Sequence, residues 1–284
     1  MLKEMLKLMR PQQWYKNLVI FIAIFFVREI TNINYLWATL LGFIALCLVS
    51  SGNYAINDIL DRKKDAIHPE KKNRPIASGK IKIYQGILLA LVLLGSSFYI
   101  AYSISLYFFY SVFSLFGLTL LYSTVIKNEV FADIILIAIN FVIRAMSGVF
   151  IINVDLSPWL VISIFFLAIF LVSMKRKADL ILLKDKAAHH KAVLKHYSLE
   201  LLQVMIIMSA CTVVISYCLY SFLKQDKIWI ITIPFVVYSV FRYLYLVETD
   251  ARLGRHPELI LKDKKFLLSV CLWLIISTII LYVV

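Results

Sequence analysis

Nine apolar runs, most close to twenty residues long, recur along the 284-residue chain and leave charge almost entirely to the stretches between them. A helix rises 1.5 Å per residue, so about 20 apolar residues cross the hydrocarbon core of a bilayer. Backbone groups in lipid must be satisfied within the segment, which restricts such runs to helices. The runs lie near 13–27, 35–56, 83–102, 106–125, 133–152, 157–175, 200–223, 228–247 and 266–284. The first has the shortest clean apolar core, Leu18 to Val27. The expectation is an all-α polytopic membrane protein, a single transmembrane domain over residues 1–284. At 62% hydrophobic and 17% charged, the chain is far more apolar than a soluble domain of its length.

The net charge of +13 would point to nucleic acid in a soluble protein, but here the basic residues occupy short connections between spans. Anionic headgroups and membrane orientation account for them, and no nucleic-acid partner is expected. Counted by side, 25 Lys and Arg fall on the side of the N-terminus, while only Arg28, Lys224 and Lys227 fall on the other. The positive-inside rule then places the N-terminus in the cytoplasm and, with nine spans, the C-terminus outside the cell membrane. Connections on the basic side are long and rich in ionisable groups, so water-soluble chemistry belongs there. Cys47, Cys211, Cys218 and Cys271 sit within apolar runs without CxxC spacing and read as small buried hydrophobes. No signal-peptide cleavage pattern follows the first run.

The inner end of the second span carries Asn53, Asn57, Asp58, Asp61 and Asp65. Steps of four drift only about 40° around a helix, so Asn57, Asp61 and Asp65 share a face, with Asp58 at its border. Carboxylates on one stripe repel unless a cation lies between them, and hard divalent cations take oxygen ligands. A charged helix end with Asp–Lys pairs, drawing on Arg62, Lys63 and Lys64, is the simpler alternative. It leaves Asn53 and Asn57 unexplained, since polar groups in a span usually face a polar interior. After His68 and Pro69 come Lys71, Lys72, Arg74, Pro75 and Gly79, a basic stretch confined by two prolines and suited to phosphate oxygens.

Further polar residues are sparser. Tyr122, Ser123 and Lys127 close the fourth span, and Asp133, Asn140 and Arg144 follow in the fifth. An arginine at mid-span is costly and needs a carboxylate or a bound phosphate as partner. Arg242 lies close enough to a span end to snorkel. Lys175 and Asp179, four apart, flank Arg176 at the end of the sixth span. The stretch with His189, His190, Lys191, Lys195, His196 and Tyr197 reads as a solvated loop. The last inner loop, from Glu248 through Arg252, Arg255 and His256 to Glu258, carries no assignable role.

Asn57-xxx-Asp61-xxx-Asp65, followed by His68-Pro69-xx-Lys72-x-Arg74-Pro75-xxx-Gly79, resembles the first Asp-rich motif of the UbiA superfamily of intramembrane prenyltransferases. That resemblance implies nine transmembrane helices around a central cavity open to the cytoplasmic side. A finer similarity, to the branch that transfers phosphoribose to polyprenyl phosphates, is carried by four further motifs. These are Arg10-Pro11-x-Gln13-Trp14-x-Lys16-Asn17, Tyr122-Ser123-xxx-Lys127, Phe141-xx-Arg144-Ala145-xx-Gly148 and Phe241-Arg242-Tyr243-Leu244-Tyr245. Lys175-Arg176-xx-Asp179 is similar as well. Members acting on aromatic acceptors usually carry a second DxxxD motif, whereas here Asp133 is followed four later by Ile137.

The resemblance implies Mg²⁺-dependent transfer of a phosphoribosyl group from 5-phosphoribosyl 1-diphosphate to a decaprenyl-like polyprenyl phosphate, with release of diphosphate. It implies Asn57, Asp61 and Asp65 as metal ligands. Asp58, Asp61, Lys127 and Arg144 would be catalytic, and Lys16, Asn17, Asn53, Lys72, Arg74, Tyr122, Lys175 and Arg176 would bind substrate. Two alternatives remain at this point. One joins a prenyl diphosphate to an aromatic or other small acceptor. The other is a transporter, against which stand the one-sided clustering of charge and the absence of paired broken helices in two halves.

Overall fold

The computed structural model describes every residue except 68–70, 185–186, 188–190, 224–226 and 284. His68, Pro69, His189, His190 and Lys224 therefore lie outside the described residues. Among those described, the chain is helical throughout, with no strand. Eight helical segments are long and apolar enough to cross a membrane: Ile33–Leu60, Ile83–Ile104, Leu106–Thr124, Ala132–Ile152, Pro158–Leu183, Leu199–Leu223, Lys227–Thr249 and Lys264–Tyr282. They correspond to the second through ninth runs read from the sequence.

The first run takes another form. An amphipathic helix α1 (Leu2–Met9) ends at Arg10, whose φ of 54° is left-handed. Pro11 then opens a 3₁₀ stretch to Ile20, which runs into a short helix α2 (Phe21–Phe26). The departure from a continuous α-helix goes with tertiary contacts. Polar side chains at the start of the run are tied to a neighbouring helix: the Trp14 indole N–H donates to Ser51 Oγ at 3.1 Å, and Asn17 Nδ2 donates to Cys47 Sγ at 3.3 Å.

The chain divides into two compact units. The first comprises Met1–Lys127 and Asn140–Asp155, and the second Asn128–Ile139 and Leu156–Val284.

In the first unit, helix α3 (Ile33–Leu60) is capped by the Asn32 side chain, which accepts from the Asn34 backbone N–H. Its 28 residues extend about 42 Å, longer than the ~30 Å hydrocarbon core, which leaves length to spare for its polar last turns. Those turns carry Asn53, Asn57 and Asp58. Asp61 closes the helix, and α4 (Arg62–Ile67) continues with little interruption: Asp61 N–H bonds to Asn57 O at 2.9 Å and Asp65 N–H to Asp61 O at 2.8 Å. The stretch after α4 folds back so that Ile76 and Ile81 bury against Leu8, Ala55 and Ala90. Helices α5 (Ile83–Ile104) and α6 (Leu106–Thr124) complete a core of Ile20, Leu46, Val49, Leu94, Phe108, Val112 and Leu115.

Helix α7 (Ala132–Ile152) supplies its later turns to this unit. Ser147 and Ser111 share a buried 3.0 Å hydrogen bond, a contact of the kind that holds helices together where lipid removes the hydrophobic incentive. Gly148 allows the closest backbone approach, since a Cβ there would collide with the carbonyl oxygen of Ile20.

The second unit is built on α8 (Pro158–Leu183), α9 (Leu199–Leu223), α10 (Ile233–Thr249), α11 (Ala251–Arg255) and α12 (Lys264–Tyr282). Its core gathers Phe170, Met174, Ile206, Val240, Tyr243 and Ile260. Ser163 and Ser216 bridge α8 and α9 at 2.8 Å.

Large apolar side chains such as Leu88, Leu91, Tyr99, Met208 and Phe241 stand exposed, which suits helix surfaces that face acyl chains. The cysteines follow this split. Cys47 is buried, but Cys211 and Cys271 are exposed and Cys218 is half-buried, so burial within protein, expected for all four, holds for one. Their apolar surroundings are those of a lipid-facing helix.

Candidate active site

The carboxylates at the end of α3 and on α4 each meet a basic partner within the first unit. Asp58 is almost wholly buried. Its Oδ1 accepts from Arg10 Nη2 at 2.5 Å and from Arg74 Nη1 at 3.1 Å. Arg74 Nη1 also reaches Asp65 Oδ2 at 2.6 Å, so one guanidinium bridges two buried acids. Asp61, more open, accepts from Lys127 Nζ at 2.8 Å through Oδ1. Arg10 stacks over the Tyr54 ring at 4.8 Å. The pairing foreseen as the simpler alternative is thus present, though the partners are Arg10, Arg74 and Lys127 and not Arg62, Lys63 or Lys64.

These contacts engage one oxygen of each carboxylate: Oδ1 of Asp58, Oδ2 of Asp65 and Oδ1 of Asp61. Breaking a buried pair by removing one partner is costly, so the cluster is preorganised. Asn57 is half-buried on the same helical stripe, and Asn53 is buried one turn earlier.

A second polar contact lies deeper in this unit. Arg144 Nε donates to Asn17 Oδ1 at 2.9 Å, and its guanidinium lies over the Phe141 ring at 5.6 Å. The mid-span cation thus takes a neutral carboxamide as partner where a carboxylate was the cheaper expectation. Among the described residues its two terminal amino groups meet no acceptor. Gly148, one turn along α7, lets the 3₁₀ segment approach closely enough to set Asn17 against Arg144.

Other expected residues sit as follows. Lys16 is half-buried, its ammonium 6.0 Å from the Tyr15 ring, and Tyr122 is half-buried near the end of α6. Lys72 is exposed, with no ion pair among the described residues. Lys71 is the lysine beside the acids. Burial, reinforced by the charge of Arg74, pulls its ammonium below the ordinary lysine value, while Asp65 and Asp61 act in the opposite direction. Arg10 is the functional candidate that sequence reasoning passed over, and Lys71, read there only as one of the basic residues after Pro69, is the lysine to add to the site. The opening motif containing Arg10 was visible, but nothing in it indicated a carboxylate 48 residues away.

In the second unit Asp133 is fully buried and accepts from three side chains: Arg176 Nε at 3.1 Å, the Tyr197 hydroxyl at 2.8 Å and Lys191 Nζ at 3.5 Å. Tyr197 also accepts from the Phe131 backbone N–H at 2.8 Å. The segment read as a solvated loop is therefore packed in part where it is described: Val193, Leu194 and Tyr197 are buried, while Ala192, Lys195 and His196 are exposed. Burial, with Arg176 close by, pushes Lys191 down to about 7, and burial with the bond to Asp133 pushes the Tyr197 phenol up. Arg176 is buried against Asp133, whereas Lys175 stands exposed on α8 with no ion pair among the described residues. Asp179 pairs with Arg255 at 3.0 Å. Arg242, expected to snorkel, is held in a two-pronged pair by Asp263 at 3.0 and 2.7 Å.

The donor set in the first unit fits a hard divalent cation. Among the described residues no three His, Cys, Asp or Glu converge on one point. Magnesium rarely needs that many, since it binds through one or two carboxylates, water and substrate phosphates. Asp61 and Asp65 offer the carboxylates, Asn57 a neutral oxygen, and the second carboxylate oxygens are not spent on the ion pairs.

Residues 18–259 match the UbiA prenyltransferase family. Over 98% of this chain and 87% of the relative, the sequence is 30% identical to a decaprenyl-phosphate phosphoribosyltransferase of Corynebacterium glutamicum. Over 95% of this chain and 90% of the relative, it is 28% identical to the Mycolicibacterium smegmatis protein of the same name. A UbiA homologue from Archaeoglobus fulgidus, solved with DMAPP and Mg²⁺, superposes with a TM-score of 0.75 at 19% identity, covering 99% of this chain and all of that one. With the membrane-length helices, the family match and the near full-length similarity, the chain belongs to the UbiA prenyltransferase family and is a membrane-embedded transferase.

Proposed function

We propose that this transferase moves the 5-phosphoribosyl group of 5-phosphoribosyl 1-diphosphate onto a polyprenyl phosphate, with Mg²⁺ as cofactor. The observation that carries the proposal is the cluster of Asp58, Asp61 and Asp65 interlocked with Arg10, Arg74 and Lys127, a site that already alternates acid and base before any diphosphate arrives. Near full-length similarity to two phosphoribosyltransferases supports the donor and acceptor.

Asp61 and Asp65, with Asn57, would hold the metal. Bound Mg²⁺ supplies positive charge to the leaving diphosphate. Arg74 and Lys127 exchange a carboxylate oxygen for a diphosphate oxygen with little movement, since both already point at the acids. Asp58 holds Arg10 and Arg74 in place and so positions the site. Lys71 adds a further cation. Arg144, fixed by Asn17, presents its terminal amino groups to an anion. Lys16, Lys72, Asn53 and Tyr122 lie on the same unit, available to substrate phosphates or ribose hydroxyls.

An oxygen of the polyprenyl phosphate attacks C1 of the ribose as the C1–O bond to diphosphate breaks, and diphosphate leaves with the bonding pair. The acceptor is already anionic, so the site needs no base to activate it. We also take the basic side of the helices as cytoplasmic, where the soluble donor would be met.

The test uses purified full-length protein in detergent with decaprenyl phosphate and radiolabelled 5-phosphoribosyl 1-diphosphate. Label should enter the lipid fraction, and chelation of Mg²⁺ should stop it. Transfer from a prenyl diphosphate to an aromatic acceptor, with none from the phosphoribosyl donor, would establish the rival chemistry.

A further inference from the structure

A groove of about 470 Å³ opens on the surface of the first unit where α4 begins and α5 begins. Its charged lining residues are Arg62 and Lys82, both cations, and neither forms an ion pair among the described residues. None of the carboxylates of the candidate active site lines it. The rest of the wall is Gly79 and apolar side chains: Ile81, which is buried, and Ile83, Tyr84 and Ile87, which are exposed. Ile83, Ile87 and the equally exposed Leu91 follow at steps of four, so they form one strip down α5, beside Tyr84 and Leu88. The strip covers about 12 Å of helix. Gly79, with φ of 76°, turns the chain at the groove, and the space where its side chain would stand is open. Lys82 Nζ lies 5.9 Å from the Tyr84 ring, and a tyrosine at this level is what a membrane interface favours.

Two unpaired cations at the mouth of an apolar strip match one molecule in outline: a negative headgroup followed by acyl chains. We propose that this groove binds an anionic membrane phospholipid, its phosphate between Arg62 and Lys82 and an acyl chain along Ile83, Ile87 and Leu91. Charge complementarity selects an anionic headgroup over a zwitterionic one, and the exposed strip on a membrane-spanning helix selects a bilayer lipid over a soluble phosphate. Such a lipid would brace the fold-back segment whose other end carries Arg74, and thereby the ion pairs of Asp58 and Asp65. The proposal rests on the membrane fold and is independent of which reaction the protein catalyses.

The experiment is native mass spectrometry of the full-length protein released from nanodiscs of equal phosphatidylglycerol and phosphatidylcholine. The wild type should retain phosphatidylglycerol in preference, by about thirtyfold for two interfacial cations. The double variant Arg62→Gln/Lys82→Gln should lose that preference, whereas Lys63→Gln/Lys64→Gln, which removes equal charge from exposed positions beside the groove, should keep it. The conservative pair Arg62→Lys/Lys82→Arg should restore it, which separates loss of charge from loss of fold. Equal retention of both lipids by the wild type, or an unchanged preference in Arg62→Gln/Lys82→Gln, overturns the proposal. So does stoichiometric displacement of phosphatidylglycerol by decaprenyl phosphate, which would make the groove an acceptor site.

Discussion

Arg144 Nε donates to Asn17 Oδ1 at 2.9 Å, a hydrogen bond that closes 127 residues of chain and leaves a mid-span guanidinium with charge to spare. Asn17→Asp is the sharp test. The new carboxylate would satisfy Arg144 and keep the thermal midpoint in detergent near wild type. It would also neutralise the cation, so turnover should fall at least tenfold and the donor KM should rise. Asn17→Ala should instead cost about 1–3 kcal/mol of stability by orphaning a buried donor. Wild-type turnover in Asn17→Asp would show that Arg144 meets no substrate anion.

The three acids should separate by burial. Asp58→Ala removes a buried acid, strands Arg10 and leaves Arg74 with Asp65 alone, and should lower stability by about 3–5 kcal/mol. Asp61, more open, pairs among the described residues only with Lys127, so Asp61→Ala should fold with a near-normal melting midpoint yet lose turnover and its response to Mg²⁺. Paired thermal melts and Mg²⁺ titrations of activity check both. An active Asp61→Ala would remove that residue from the metal site.

Gly148→Ala should shift the 3₁₀ segment away from α7, since its methyl would meet the Ile20 carbonyl oxygen. Overpacking of this kind costs about 1–3 kcal/mol. Because the displaced segment carries Asn17, activity should fall further than stability accounts for. A melt and an assay at a temperature well below the midpoint separate the two effects.

Stability of the second unit should depend on pH through Lys191. Its folded pKa, held near 7 by burial, lies below the unfolded lysine value of 10.5, so between these limits the unfolded chain binds more protons. Stability contributed by this site should therefore rise as pH increases from about 7 to about 10.5, and below 7 its penalty is fully present. Lys191→Met should flatten the thermal midpoint across that window relative to wild type. An unchanged pH profile in the variant would mean that the ammonium is not burdened by burial.

The acids of the site were legible in advance because helical spacing is a local property: Asp61 and Asp65 share a stripe whatever packs against them. Their partners were not. Arg10 lies 48 residues before Asp58 in sequence, and Lys127 lies 66 after Asp61, so only the fold brings each cation to its acid. Lys71 and Lys72 show the limit most clearly. Composition treats the two lysines alike, whereas the fold-back half-buries one beside the acids and leaves its neighbour in solvent. Asp133 is a similar case. Its place at the head of a span was plain, but the convergence of Arg176, Lys191 and Tyr197 on it depends on packing of a segment that reads as a polar loop.

The sequence alone determined that this chain is built of membrane-length helices with its ionisable groups concentrated between them, because apolar length acts through the bilayer and needs no tertiary contact. It also set the acidic stripe, which follows from helix geometry. Tertiary structure decided the rest: that the first run becomes a 3₁₀ segment strapped to α3 and α7, that Arg10, Arg74 and Lys127 reach the acids, and that a mid-span arginine is held by an asparagine. Those outcomes turn on ångström-scale approach between residues far apart in the chain, which periodicity and composition do not encode.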